Sequence, residues 1–152
     1  MPASLTRLLL GLAAGVVVLA ACGGDDSSSE VIGVQWGWGA VVYGEADPSA
    51  PPTPIRNPED YLLTLAEDGS FTARADCNRL RGTYVLSGSE LTLELGPGTK
   101  AACGAGSLAP DYVDLLGKVV SYDVYAERSL ALGLAKGAGH MYFHTRAEPP
   151  SA

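Results

Sequence analysis

In "RADCNRLRGTY", residues 74–84, Cys77 stands beside Asn78, and the pair invites a catalytic reading. A thiol can be a nucleophile, and an asparagine can orient the histidine that activates it. The other groups of that kind are Cys22, Cys103, His140 and His144. A zinc site would have to gather several of them, yet residues four apart in an extended strand lie about 13 Å apart, too far to share one ion. In "GHMYFHTR", Met141 and Phe143 take one face and both histidines the other. The histidines are therefore expected as solvated surface groups, with no metal and no other cofactor. Asn78 also has a plainer use, because asparagine tolerates left-handed backbone angles and satisfies backbone groups at strand ends.

The carboxylates do not form a catalytic pair by spacing. Glu67 and Asp68 fall in a turn, Glu90 and Glu94 on the outer face of one strand, and Asp111 and Asp114 on a helix. "GWGAVVYG" is followed by more strand rather than by a helix, so it is no phosphate-cradling loop. No enzyme is expected. Trp36 and Trp38, spaced by two, share a strand face and either fill the core, the expected use, or form an exposed platform for a ligand. Gly37 and Gly39 lie opposite and would admit another backbone or a ligand. If a surface binds, the candidates are Asn78, Arg79 and Arg81, joined by Trp36 and Trp38 should these be exposed. An arginine fork can hold a carboxylate or phosphate bidentately.

Positioning these groups begins with a leader. Arg7 precedes an apolar run, Leu8 to Ala21, that is too short to span a membrane and suits the core of a signal peptide. Leu19, Ala20, Ala21 and Cys22 match a lipobox, in which the cysteine thiol takes a diacylglycerol group. A plain secretory signal with a chance cysteine is the alternative. With two or more acyl chains, at about 0.8 kcal/mol per buried methylene, the mature protein would be anchored without spanning. The expected divisions are a lipoprotein signal peptide over 1–21, a lipidated cysteine and flexible tether over 22–32, one domain over 33–146 and a disordered tail over 147–152. "GGDDSSSE" has nothing to bury, and its reach as a coil is about 15–20 Å. Gly23 after the lipid cysteine points to an outer membrane where the cell has one. The location expected is therefore the cell membrane or outer membrane, facing the periplasm or the exterior.

The 17 acidic side chains outnumber the 10 basic ones, and loss of Arg7 with the leader widens the gap. A phosphate backbone would be repelled, so nucleic acid is excluded as a partner. What remains suits one core, and its pattern has a period of two nearly throughout. Tyr61, Leu63 and Leu65, then Phe71, Ala73, Ala75 and Cys77, flank an Asp68–Gly69 turn and predict a hairpin with Cys77 pointing inward. Tyr84 and Leu86, a Ser87–Ser89 turn, and Leu91, Leu93 and Leu95 predict a second. Leu130, Leu132 and Leu134 follow a turn near Glu127 in a third. "SLAPDYVDLLGKV" changes period, with Ser107 as cap, Pro110 near the first turn, and Tyr112, Leu115, Leu116 and Val119 on one side of a helix. Adding strands at about 34–43 and 139–146 gives a mainly β fold with one helix: a curled antiparallel sheet or small barrel of about seven to eight strands, closed by that helix. The five prolines in 45–59 predict a surface loop.

"ADCNRLRGTY" resembles the signature of the META/HslJ-like domain family, a Gly-Cys-Asn start followed by a glycine and a tyrosine. "TKAAC", residues 99–103, resembles its second signature, a threonine followed closely by a cysteine. Asp76 stands where the family often has glycine. The resemblance spans about 34–144 and implies a compact, mainly antiparallel β domain on envelope or secreted proteins, linked to heat-shock response, novobiocin resistance and virulence without an established activity.

With Cys22 lipidated, Cys77 and Cys103 are an even pair outside the cytosol, where disulfides persist. Two buried free thiols or a catalytic thiol are the alternatives, and a disulfide is expected. The function expected is a non-catalytic, membrane-anchored envelope lipoprotein that binds an envelope protein or small ligand or supports stress tolerance. The alternative is a lipid-anchored protein inhibitor, for example of lysozyme.

Overall fold

A computed structural model describes residues 30–44, 51–126 and 129–146. The leader, most of the tether, the first half of the proline loop, the turn at Glu127 and the tail lie outside these residues. Nine strands are described: β1 Gln35–Tyr43, β2 Thr53–Pro54, β3 Tyr61–Leu65, β4 Ser70–Ala75, β5 Asn78–Ser87, β6 Glu90–Gly98, β7 Val119–Tyr125, β8 Ser129–Leu134 and β9 Gly139–Thr145. One helix, α1 Ala109–Leu116, lies between β6 and β7.

The sheet closes. From β3 to β9 each strand pairs antiparallel with its successor, and β1 joins β3 on one edge and β9 on the other. Eight strands thus form a barrel, while β2 adds to the second half of β1. The seam sets Trp38 opposite Phe143 and Val41 opposite Met141, with a bulge between Trp38 and Ala40 that bends the strand. Gly139 starts the closing strand at φ +114, where a Cβ would meet the Val42 carbonyl oxygen at 1.8 Å. Only glycine fits that backbone.

Alternation fills the interior as the period of two predicts. Leu63, Leu65, Phe71, Leu91, Leu130, Leu132, Met141 and Phe143 are fully buried. The helix covers the end of the barrel near Tyr61. Tyr112 is buried with its ring 5.1 Å from Trp38 and 5.5 Å from Tyr61, and the Tyr61 hydroxyl accepts from the Leu108 amide at 2.8 Å. Ser107 accepts from the Ala109 amide but stands one residue before the cap position, which is Leu108, because the helix starts at Ala109.

Five expectations change. Cys77 does not point inward: β4 ends at Ala75, Ala75 pairs with Asn78, and Asp76 and Cys77 form a two-residue turn with the cysteine exposed. Asp76 adopts φ +57, the conformation a tight hairpin turn needs at its first central residue, and one for which glycine is the usual choice. Val119 belongs to β7 rather than to the helix face. Leu95, expected inside with Leu91 and Leu93, is exposed, because β6 and β7 pair only at Glu90–Ser121 and the barrel wall parts beyond it. The folded unit starts before residue 33: Val31 is buried, accepts from Trp36 Nε1 at 3.1 Å, and precedes an Ile32–Leu65 bridge. The second half of the proline loop is part of the sheet edge, since Thr53 and Pro54 pair with β1, the Ile55 amide donates to Gly39, and Ile55 is buried.

Candidate functional site

Cys77 and Cys103 form a disulfide with Cα atoms 5.7 Å apart. It ties the β4–β5 turn to the irregular segment that follows β6. Asn78 locks the same junction from the first position of β5. Its Oδ1 accepts from the Ala101 amide at 2.8 Å and from the Thr99 hydroxyl at 3.0 Å, while its Nδ2 donates to the Ala101 carbonyl at 3.0 Å and lies 3.3 Å from Cys103 Sγ. The Thr99 hydroxyl in turn accepts from the Arg79 amide at 3.0 Å, and the Thr99 amide donates to the Arg79 carbonyl. The two sequence signatures are therefore one physical object.

The glycine and tyrosine of the first signature act on the same strand. A Cβ at Gly82 would lie 2.0 Å from the Glu94 carbonyl oxygen and 2.6 Å from the Phe71 ring, so the strand passes its neighbours as closely as it does only without a side chain. Tyr84 donates its hydroxyl to the Ala66 carbonyl at 2.6 Å and so pins the β3–β4 turn. Burial, with Asp68 and Glu67 nearby, raises its pKa. In that turn Asp68 accepts from the Ser70 hydroxyl and amide, which lowers the carboxyl's pKa.

The predicted surface set separates. Trp36 and Trp38 are core residues, 1% and 0% exposed, and offer no platform. The space above Gly37 and Gly39 is taken by the chain's own Arg146 and His144. Asn78 turns toward residues 99–103, whereas Arg79 and Arg81, on alternate positions, are exposed on the outer wall. His140 and His144 are exposed too, with His144 Nδ1 3.3 Å from the Ser129 hydroxyl. Among the described residues no three His, Cys, Asp or Glu side chains gather as a metal site would require. Trp38 Nε1 and the Tyr112 hydroxyl are buried without a hydrogen-bond partner among the described residues, and burial pushes the tyrosine's pKa well up.

Two hollows flank the junction. One, of about 640 Å³, opens where β6 and β7 part, between Leu95 and Gly98 of β6, the 99–106 segment and Pro110 and Val113 of α1, with Lys100 as its charged residue. The other, of about 630 Å³, lies on the outer wall over β3, β4 and β5 and includes Arg74, Arg79 and Arg81. Sequence reading missed Arg74. A two-residue turn at Asp76–Cys77 is the signal that would have placed it opposite Arg79.

The META domain family matches residues 31–147. No curated protein matches the chain. Among solved structures, a protein from Burkholderia xenovorans determined by NMR is 20% identical with a TM-score of 0.62, the match covering 80% of this chain and 88% of that one. A duf4847 family protein from Bacteroides vulgatus is 14% identical with a TM-score of 0.60, the match covering 81% and 99%. At these identities the two share a fold with this chain, and nothing more is carried over. With the match running through the whole barrel and both halves of the junction, this chain belongs to the META domain family.

Proposed function

We propose that this protein is a non-catalytic binding domain held at the cell envelope by a lipid on Cys22. The observation that carries the reading is the use made of the groups that resemble a catalytic site. Cys77 and Cys103 are bonded to each other, and Asn78 and Thr99 spend their hydrogen-bonding capacity on the segment beside them. A nucleophile needs a free thiolate and a base within reach. What such a domain presents instead is its outer wall and the hollow beside α1. The lipobox at Leu19–Cys22 supports the anchor, and the acidic tether beyond it supports a spacing role.

The anchor is tested by Cys22→Ala. The thiol is the acceptor of the lipid, so the variant is expected to stay an unprocessed precursor, while the wild-type amino terminus carries acyl chains by intact mass. Wild-type protein with an unmodified amino terminus in the soluble extracellular fraction would contradict the anchor. A purified domain that turns over an envelope substrate, at a rate surviving repurification, would contradict the non-catalytic reading.

A further inference from the structure

The outer wall of the barrel holds a charge conflict that the fold does not resolve. The register of β4 and β5 sets Arg74 directly opposite Arg79 and places Arg81 two positions on, opposite Thr72. Like charges facing each other across a strand pair destabilise a sheet. Asp60 compensates one of the three: Arg74 reaches it at 3.1 Å, with both side chains partly exposed. Arg79 and Arg81 are exposed and make no ion pair among the described residues. Two more acids lie near them: Glu94, which flanks the hollow beside Arg81 without pairing to it, and Asp76, whose backbone carbonyl accepts from Arg74 Nε at 3.1 Å. In a chain with 17 acidic and 10 basic side chains, three arginines gathered on one wall are a local reversal of sign. Around them the same wall carries Gln35, Thr64 and Thr72, groups that hydrogen-bond to oxygen-rich ligands without adding charge.

The position of the wall narrows the occupant. The described chain begins at Glu30 and enters along β3, where Ile32 bridges Leu65 and the Gly33 amide donates to the Leu65 carbonyl at 2.8 Å. Gln35, a few residues on, already lines the arginine hollow. The chain therefore joins the barrel on the side that carries the arginines, and the eight residues that follow Cys22, up to Glu30, can span at most about 28 Å. We propose that the Arg74–Arg79–Arg81 wall docks on anionic phospholipid headgroups of the membrane that holds the anchor, which fixes the orientation of the barrel. This rests on the anchored reading given above. The docking needs little affinity of its own: each arginine near an anionic surface contributes about 1 kcal/mol, and the tether raises the effective concentration of the headgroups. The acidic remainder of the domain, repelled by the same surface, faces away.

The test is arginine footprinting with phenylglyoxal on the mature full chain in nanodiscs, read by mass spectrometry. In discs containing one third phosphatidylglycerol, modification of Arg79 and Arg81 is expected to be about fivefold slower than in pure phosphatidylcholine discs, the factor equivalent to about 1 kcal/mol, and 0.5 M salt is expected to remove the difference. Equal rates in both discs would overturn the proposal. So would equal protection by inorganic phosphate in neutral discs, which would assign the wall to a free anion. The intact mass of the same sample reports whether Cys22 is acylated, so failure of the anchor and failure of docking are seen separately. Should the amino terminus be unmodified, the same footprint with added vesicles decides the docking.

Discussion

A chain with both Cys77 and Cys103 replaced by serine is expected to lose about 3.5 kcal/mol of folding stability, read as a lowered guanidinium midpoint. The bridge closes a loop with a sequence separation of 26, and the unbridged unfolded chain gains the entropy of opening it. Against a typical domain stability of about 5–15 kcal/mol this is a large share. The loop holds the whole β5–β6 hairpin, so the loss acts on the wall that both hollows share. Wild-type protein kept under strong reductant should behave like the double variant. A loss below about 1 kcal/mol would mean that the junction is held without the bridge.

Gly82→Ala is the second large effect, expected at about 3 kcal/mol or more. The added methyl group meets the Glu94 carbonyl oxygen and the Phe71 ring at distances no real Cβ tolerates, and neither neighbour is the free end of a flexible side chain. Relief requires that β5 and β6 separate or that a fully buried phenylalanine move, the kind of overpacking that disturbs backbone. Gly104→Ala is the control: nothing lies within 4 Å of the new methyl, and the change is expected within about 0.5 kcal/mol. Thermal melts of the two variants beside wild type check the contrast. Equal melting temperatures would show that the strand pair relaxes freely at Gly82.

The alternation of apolar residues was enough to read most of the barrel wall. Met141 and Phe143, Leu130, Leu132 and Leu134, and Leu91 and Leu93 all face inward as a period of two dictates, and the change of period at residues 107–116 marks the one described helix. The closure was less legible. β1 and β9 pair across a gap of about a hundred residues, and no local pattern sets a register between chain ends. β2 contains a proline, which argues against a strand, yet it sits on the edge where a missing donor costs nothing.

At the junction, one turn decided what could be seen. Counting Cys77 as a strand residue aimed it inward and hid Arg74 opposite Arg79. Placing the turn at Asp76–Cys77 corrects both at once. The Asn78 bonds were beyond any pattern, because their partners lie in residues 99–103, which form no helix or strand. The spacing of the tryptophans put both on one face and left core or platform open with core expected, and their burial leaves the arginines as the exposed part of the predicted surface.

The central claim is that the paired signatures hold the fold together. Urea unfolding of Asn78→Ala measures this most directly. The substitution removes hydrogen bonds to Thr99 and to both backbone groups of Ala101, each worth about 1 kcal/mol net, and leaves the strand and the disulfide in place. A loss of about 2–3 kcal/mol with an unchanged slope is the predicted result. Stability within a few tenths of a kcal/mol of wild type would contradict the claim, because Asn78 would then not be holding the junction together.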